Sequence, residues 1–119
     1  WLERTVDALS RAHKKIVIIA QVPEVAWDIP EAYARERLRG GGPDLRTSVV
    51  DYLQRQQFVF NEFEKLRRAY GITIVYPHSQ LCAGGFCQVA AGGRPIYRDR
   101  HHLTPGGAAL LAPMLKSAL

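Results

Sequence analysis

The sequence has no long apolar run. Ile16-Val17-Ile18-Ile19-Ala20 is far shorter than the roughly 20 apolar residues a membrane-spanning helix needs, so it reads as a strand and not as a bilayer span. It has no stretch in which arginines alternate with aromatics. The net charge is +5, carried mainly by arginines scattered along the chain, which describes a solvated basic surface and argues against a nucleic-acid partner. No internal repeat, low-complexity tract or signal-peptide pattern is present, and the first residue is Trp1. The chain is therefore read as a piece of a longer protein whose targeting signals lie elsewhere. Cysteine is scarce. Cys82 and Cys87 are separated by Ala-Gly-Gly-Phe, and two glycines in so short a loop let the backbone fold back and bring the sulfurs together. A local disulfide formed in an oxidising compartment is expected, the alternative being two unpaired thiols in a reducing one.

What is present suffices for one packed domain. Of 119 residues, 47% are hydrophobic and 23% charged, ordinary proportions for a globular chain. Leu2, Val6, Leu9 and His13 follow helical spacing, which predicts a helix from Trp1 to about Ala12. The β-branched run from Ile16 to Ala20 predicts a strand buried on both faces, as in a parallel sheet, and Pro23 ends it. Residues 24–44 form a long connection with a short helix around Glu31 to Leu38, followed by Gly40-Gly41-Gly42-Pro43. Thr47-Ser48 opens the longest helix, with a buried stripe of Leu53, Phe60, Phe63, Leu66 and Tyr70 and a stop at Gly71. Ile72 to Tyr76 predicts a second strand. Gln88 to Ala91 and Pro95 to Tyr97 flank Gly92-Gly93 as a small hairpin. Thr104 and Pro105 cap a last helix, which Pro113 should kink or split. Strands alternating with helices predict an α/β layer architecture with parallel strands. Two core strands make a thin sheet, so further strands are expected outside this chain.

The residues with most chemical content are Tyr97-Arg98-Asp99-Arg100-His101-His102-Leu103-Thr104-Pro105-Gly106-Gly107. Asp99 lies three residues before His102, just ahead of the predicted helix start. A carboxylate that accepts a proton from one imidazole nitrogen leaves the other free to act as a base, which is two thirds of a Ser-His-Asp relay. His101 should turn away from His102 toward solvent or substrate. His78, after the second strand, could line the same cleft or make a structural hydrogen bond. Trp27, with Tyr33 nearby, could form an acceptor-binding wall or close the core. Cys82, Cys87, His101 and His102 also admit a zinc reading, but the cysteine spacing is wide and adjacent histidines rarely bind one ion. No metal and no organic cofactor is expected.

This last block resembles that of SGNH hydrolases. It is most similar to the SGNH domains fused behind the membrane domain of acyltransferase-3 proteins, where Tyr-x-Asp-x-x-His-Leu-Ser followed by Gly-Ala is typical. Lys15 to Pro23 resembles the strand of that subfamily that ends in Pro, and Cys82 through Cys87 resembles its cysteine pair. The resemblance implies a three-layer α/β/α, flavodoxin-like parallel sheet and acyl transfer to or from a hydroxyl by a Ser-His-Asp relay. His102 would be the base and Asp99 its orienting partner. Thr104 stands where Ser is usual. The family's Gly-Asp-Ser block is absent, and Ser10, Ser48, Ser79 and Ser117 have other contexts. Residues 1–119 are accordingly expected to be the C-terminal part of one SGNH-like domain, with the N-terminal strands and the nucleophile in the missing half. The implied partners are an acyl donor and a carbohydrate acceptor, and the implied setting is an extracytoplasmic domain of a membrane protein. The alternative is a non-catalytic carbohydrate-binding or interaction module of the same fold.

Overall fold

The computed structural model describes residues 1–40 and 44–119. Helix α1 (Leu2–Arg11) is followed by strand β1 (Val17–Ile19), helix α2 (Ile29–Arg39), strand β2 (Thr47–Ser48) and the long helix α3 (Val49–Tyr70). Then come β3 (Thr73–Val75), the single turn α4 (His78–Leu81), β4 (Cys82–Ala83), β5 (Phe86–Cys87), β6 (Ala90–Ala91) and β7 (Arg94–Pro95). Helices α5 (Pro105–Ala109) and α6 (Ala112–Ala118) close the chain. Gly40 ends α2, and the remaining residues of the expected glycine-rich segment, 41–43, lie outside the described residues.

The parallel sheet is formed by β1 and β3, with Val17 opposite Thr73 and Ile19 opposite Val75. Bonds from Ala20 N to Val75 O and from Thr73 N to Ile16 O extend the ladder at both ends. On one face, Ile18 and Ile74 join Ile16 and Tyr70 around the buried Val6, Leu66 and Ile72, so α1 and α3 cover that side. The expectation that β1 is buried on both faces is corrected here. Val17 and Ile18 are half-buried and Ile19 is 55% exposed, because among the described residues β1 has a strand neighbour along one edge only.

Helix α3 begins as predicted, with the Ser48 hydroxyl accepting from Asp51 N at 3.4 Å. Its expected stripe differs at the first position only. Tyr52 is fully buried and Leu53 is 37% exposed. Tyr52 falls in helical register with Phe60, Phe63, Leu66 and Tyr70, and its hydroxyl is satisfied inside the fold by donating to Gln21 O at 2.7 Å. At the far end, Pro113 splits the last helix: α5 ends at Ala109, and α6 carries Pro113 in its first turn.

Two small antiparallel sheets complete the fold. Strands β2, β5 and β4 pair in that order, and Cys82 stands opposite Cys87, to which it is joined by a disulfide. Gly84 and Gly85, with φ of 61° and 86°, make the tight turn between them. Strands β6 and β7 form the predicted hairpin about Gly92-Gly93, and Ile96 N to Val89 O prolongs it. The second core gathers Ile29, Leu81, Val89, Ile96, Tyr97 and Leu111 beneath these sheets.

The connection after β1 is held by side chains from distant parts of the chain. Tyr97 Oη donates to Pro23 O at 2.8 Å, Thr47 Oγ1 to Glu24 O at 3.0 Å, and Tyr52 Oη to Gln21 O. Val25 N donates to Arg100 O at 3.1 Å. These four bonds bring the two segments that carry the site together.

Candidate functional site

The site is built on a pinched loop. Tyr97 is fully buried and bridges to Leu103 across an isolated antiparallel pair. Arg98 N donates to His102 O at 2.8 Å and Thr104 N to Ile96 O at 2.9 Å, so residues 98–102 are closed off as one loop. Thr104 caps α5 by accepting from Gly107 N at 3.0 Å.

The Asp99 carboxylate organises the loop from within. Its Oδ1 accepts from the amides of His101 and His102, each at 2.8 Å. Its Oδ2 accepts from His102 Nδ1 at 2.8 Å. Donation from the His101 amide, reinforced by the His102 ring and amide against partial desolvation, holds the Asp99 carboxyl down at about 2. A neutral His102 that donates from Nδ1 keeps the lone pair on Nε2, and its side chain is 65% exposed. An accessible Nε2 in that tautomer can take a proton from a hydroxyl and return it.

The carboxyl carbon of Asp99 should therefore titrate near pH 2, not near the ordinary value of roughly 4. Because the folded value is depressed, the stabilisation is present above the unfolded value and is lost as pH falls through about 2. A carbon chemical-shift titration reads this directly, and a midpoint near 4 would rule out the two-amide clamp.

His101 and Trp27, both proposed from the sequence, line one depression of about 330 Å³. Glu24, Asp51, Arg55 and Arg100 line it with them. His78 does not. Its ring stacks on Phe60 at 5.7 Å and lies 5.5 Å from Tyr52 and 5.7 Å from Tyr76. It borders a different depression, with Ser79, Met114 and Ser117. Its Nδ1 is buried without a hydrogen-bond partner among the described residues, and burial lowers its pKa. The expectation of a shared cleft is thus replaced by an aromatic cluster, and the structural hydrogen bond expected of His78 is absent at Nδ1. The sulfurs of Cys82 and Cys87 bond each other and offer no thiolates to a metal, which removes the zinc reading.

The serines are held elsewhere. Ser10 lies within α1, and Ser48 caps α3. Ser79 Oγ donates to Tyr76 O and Ser117 Oγ to Met114 O. None is hydrogen-bonded to His102 among the described residues. The arginines of the depression were not singled out by the sequence, since Arg46, Arg55 and Arg100 share no local pattern and meet only in the fold.

Comparison with known proteins gives the context. The family described as "SGNH domain (fused to AT3 domains)" matches residues 2–117. The chain belongs to this family. Among solved structures, this SGNH domain is similar to the periplasmic domain of the lipopolysaccharide acetyltransferase of Salmonella ser. Paratyphi A. The TM-score is 0.70 at 20% identity, over 98% of this chain and 47% of that one. At that identity the likeness establishes a shared fold alone, and the chain spans about half the length of that domain. No curated protein matches the sequence.

Proposed function

We propose that this chain supplies the general base and its orienting carboxylate to an SGNH-type O-acyltransferase or esterase. The observation that carries the reading is the 2.8 Å contact from His102 Nδ1 to Asp99 Oδ2 with Nε2 left open. Family membership supports acyl-transfer or esterase chemistry in general terms. The finer assignment, an acyl group moved to or from a carbohydrate hydroxyl, rests on the likeness to a lipopolysaccharide acetyltransferase domain. The same likeness and the fusion to AT3 domains support an extracytoplasmic setting as part of a membrane protein.

In this reading, residues 1–119 are the C-terminal part of one domain, and a serine contributed by another segment of the protein lies at Nε2 of His102. Nε2 takes the hydroxyl proton as the serine oxygen attacks the acyl carbonyl. The protonated ring, stabilised by Asp99, gives that proton to the departing group. A sugar hydroxyl or a water then loses its proton to Nε2 while attacking the acyl-serine, and the serine oxygen recovers it as it leaves. The protein contributes no redox step, and the relay itself needs no organic cofactor.

The test is fluorophosphonate labelling of the full-length protein, followed by peptide mapping. A single labelled serine outside residues 1–119 is the expected result. No labelling would overturn the relay and favour the alternative of a non-catalytic carbohydrate-binding module, for which the exposed Trp27 is the supporting observation.

A further inference from the structure

We propose that the depression beside the Asp99–His102 pair is a subsite for an anionic saccharide. Trp27 would be the platform for the sugar ring, and Arg55 and Arg100 the partners of a carboxylate or phosphate substituent. The depression has a volume of about 330 Å³, enough to seat a monosaccharide unit. Trp27 is 46% exposed on its wall, and an indole left uncovered in a concave polar surface presents an apolar face to the C–H side of a sugar.

The three arginines of the lining differ in what they already hold. Arg46 pairs with Asp44 through contacts of 2.7 to 3.1 Å and lies 4.4 Å over the Phe86 ring. Arg55 and Arg100 make no ion pair among the described residues. The lining also holds two carboxylates, Glu24 and Asp51. Glu24 accepts from Gln21 Nε2 at 2.8 Å, and Asp51 lies in the first turn of α3, where the helix dipole favours a negative charge. The two unpaired guanidiniums are therefore the groups available to an incoming anion, and a guanidinium can meet carboxylate or phosphate oxygens in pairs.

The subsite also has a fixed relation to the relay. His101 lines it and precedes His102 in the chain, and the Arg100 carbonyl accepts from Val25 N, two residues before Trp27. The indole wall and the arginine wall are thus joined through main chain. That the saccharide seated here is the acyl acceptor rests on the acyl-transfer reading above, whereas its binding does not.

The experiment is equilibrium binding to the full-length protein at low salt without acyl donor. Three probes are used: a glucuronate-containing oligosaccharide, its carboxyl-reduced neutral counterpart, and the counterpart phosphorylated on the same sugar. The acidic forms should bind about tenfold tighter than the neutral one, the range expected of two exposed charge contacts. Preference for the carboxylate probe would assign a uronic acid, and preference for the phosphate probe a sugar phosphate. Either supports the subsite. Arg55→Gln and Arg100→Gln should each erase most of the preference. Trp27→Ala should weaken acidic and neutral probes alike. Arg68→Gln, on the exposed end of α3, serves as the control for general surface charge. Equal affinity for acidic and neutral probes, or a loss in Arg68→Gln equal to that in Arg100→Gln, would overturn the proposal. Fluorophosphonate labelling reports the relay separately, so a failed relay and a failed subsite are told apart.

Discussion

Asp99→Asn should lower acyl transfer by the full-length protein about 10⁴-fold, close to 5.5 kcal/mol of activation free energy, while leaving the loop folded. The loop survives because the amide oxygen of the new side chain can still accept from the amides of His101 and His102, the two bonds that Asp99 Oδ1 accepts at 2.8 Å. The chemistry does not survive, because an NH₂ group replaces Oδ2, the nearer partner of His102 Nδ1 at 2.8 Å, while the retained oxygen, 3.0 Å from Nδ1, is already engaged by two amides. A donor in that position requires Nδ1 to be unprotonated, which moves the ring proton to Nε2 and removes the base. His102→Ala should cost at least as much, since it deletes the base itself. Nitrogen chemical shifts of the His102 ring check the tautomer without any turnover assay. An Asp99→Asn variant that keeps more than a tenth of its activity, or that still has the ring proton on Nδ1, would contradict this assignment.

Gly107→Ala should destabilise the fold by about 3 kcal/mol, the upper part of the range for forcing extra volume into a packed interior. A Cβ at this position would lie 2.2 Å from Ile96 O and 3.0 Å from Ile96 Cβ. The first of these is backbone, so no rotamer change relieves it. The helix must move instead, and it carries the Thr104 cap that closes the 98–102 loop. A Tm lower by about 10 °C is expected for a chain of this size. Gly106→Ala is the paired control. Its Cβ would meet Thr104 Oγ1 at an ordinary 3.9 Å, and Ala is the better helix former, so that variant should be neutral or slightly stabilising. Equal melting temperatures for the two variants would show that the close approach of α5 to Ile96 does not limit stability.

What the sequence conveyed well was local. The Asp99–His102 pair, the Thr104 cap, the stop at Gly71 and the break at Pro113 all depend on residues within a few positions of one another. The parallel pairing of β1 and β3 was legible from two β-branched runs separated by a long helix. What escaped was set by distance. Tyr52 looks like any apolar position and Tyr97 like the first residue of its block, yet the buried hydroxyl of each finds a carbonyl, 31 and 74 residues away. The α3 stripe begins at Tyr52 and not at Leu53. His78 was misdirected for a similar reason: α3 brings Phe60 and Tyr52 over the end of β3 and draws the ring into an aromatic cluster. The exposure of Ile19 depends on which strands lie beside β1, a property that its own residues do not encode.

The tethers on the segment after β1 divide positional from chemical information. In the bonds from Tyr52, Thr47 and Tyr97, the donor is a side chain and the acceptor is a main-chain carbonyl of Gln21, Glu24 or Pro23. The fourth tether, Val25 N to Arg100 O, is main chain on both sides. The course of the backbone past the depression is therefore written at positions 47, 52 and 97 and by Val25, whose side chain is buried in the second core, and the side chains of Glu24 and Trp27 are not needed to hold it. Substitutions at Glu24 or Trp27 can change what the wall recognises while its path is kept, whereas loss of a tethering hydroxyl changes the path and keeps the recognition groups. Variation in ligand choice is thereby separated from variation in architecture within a stretch of four residues.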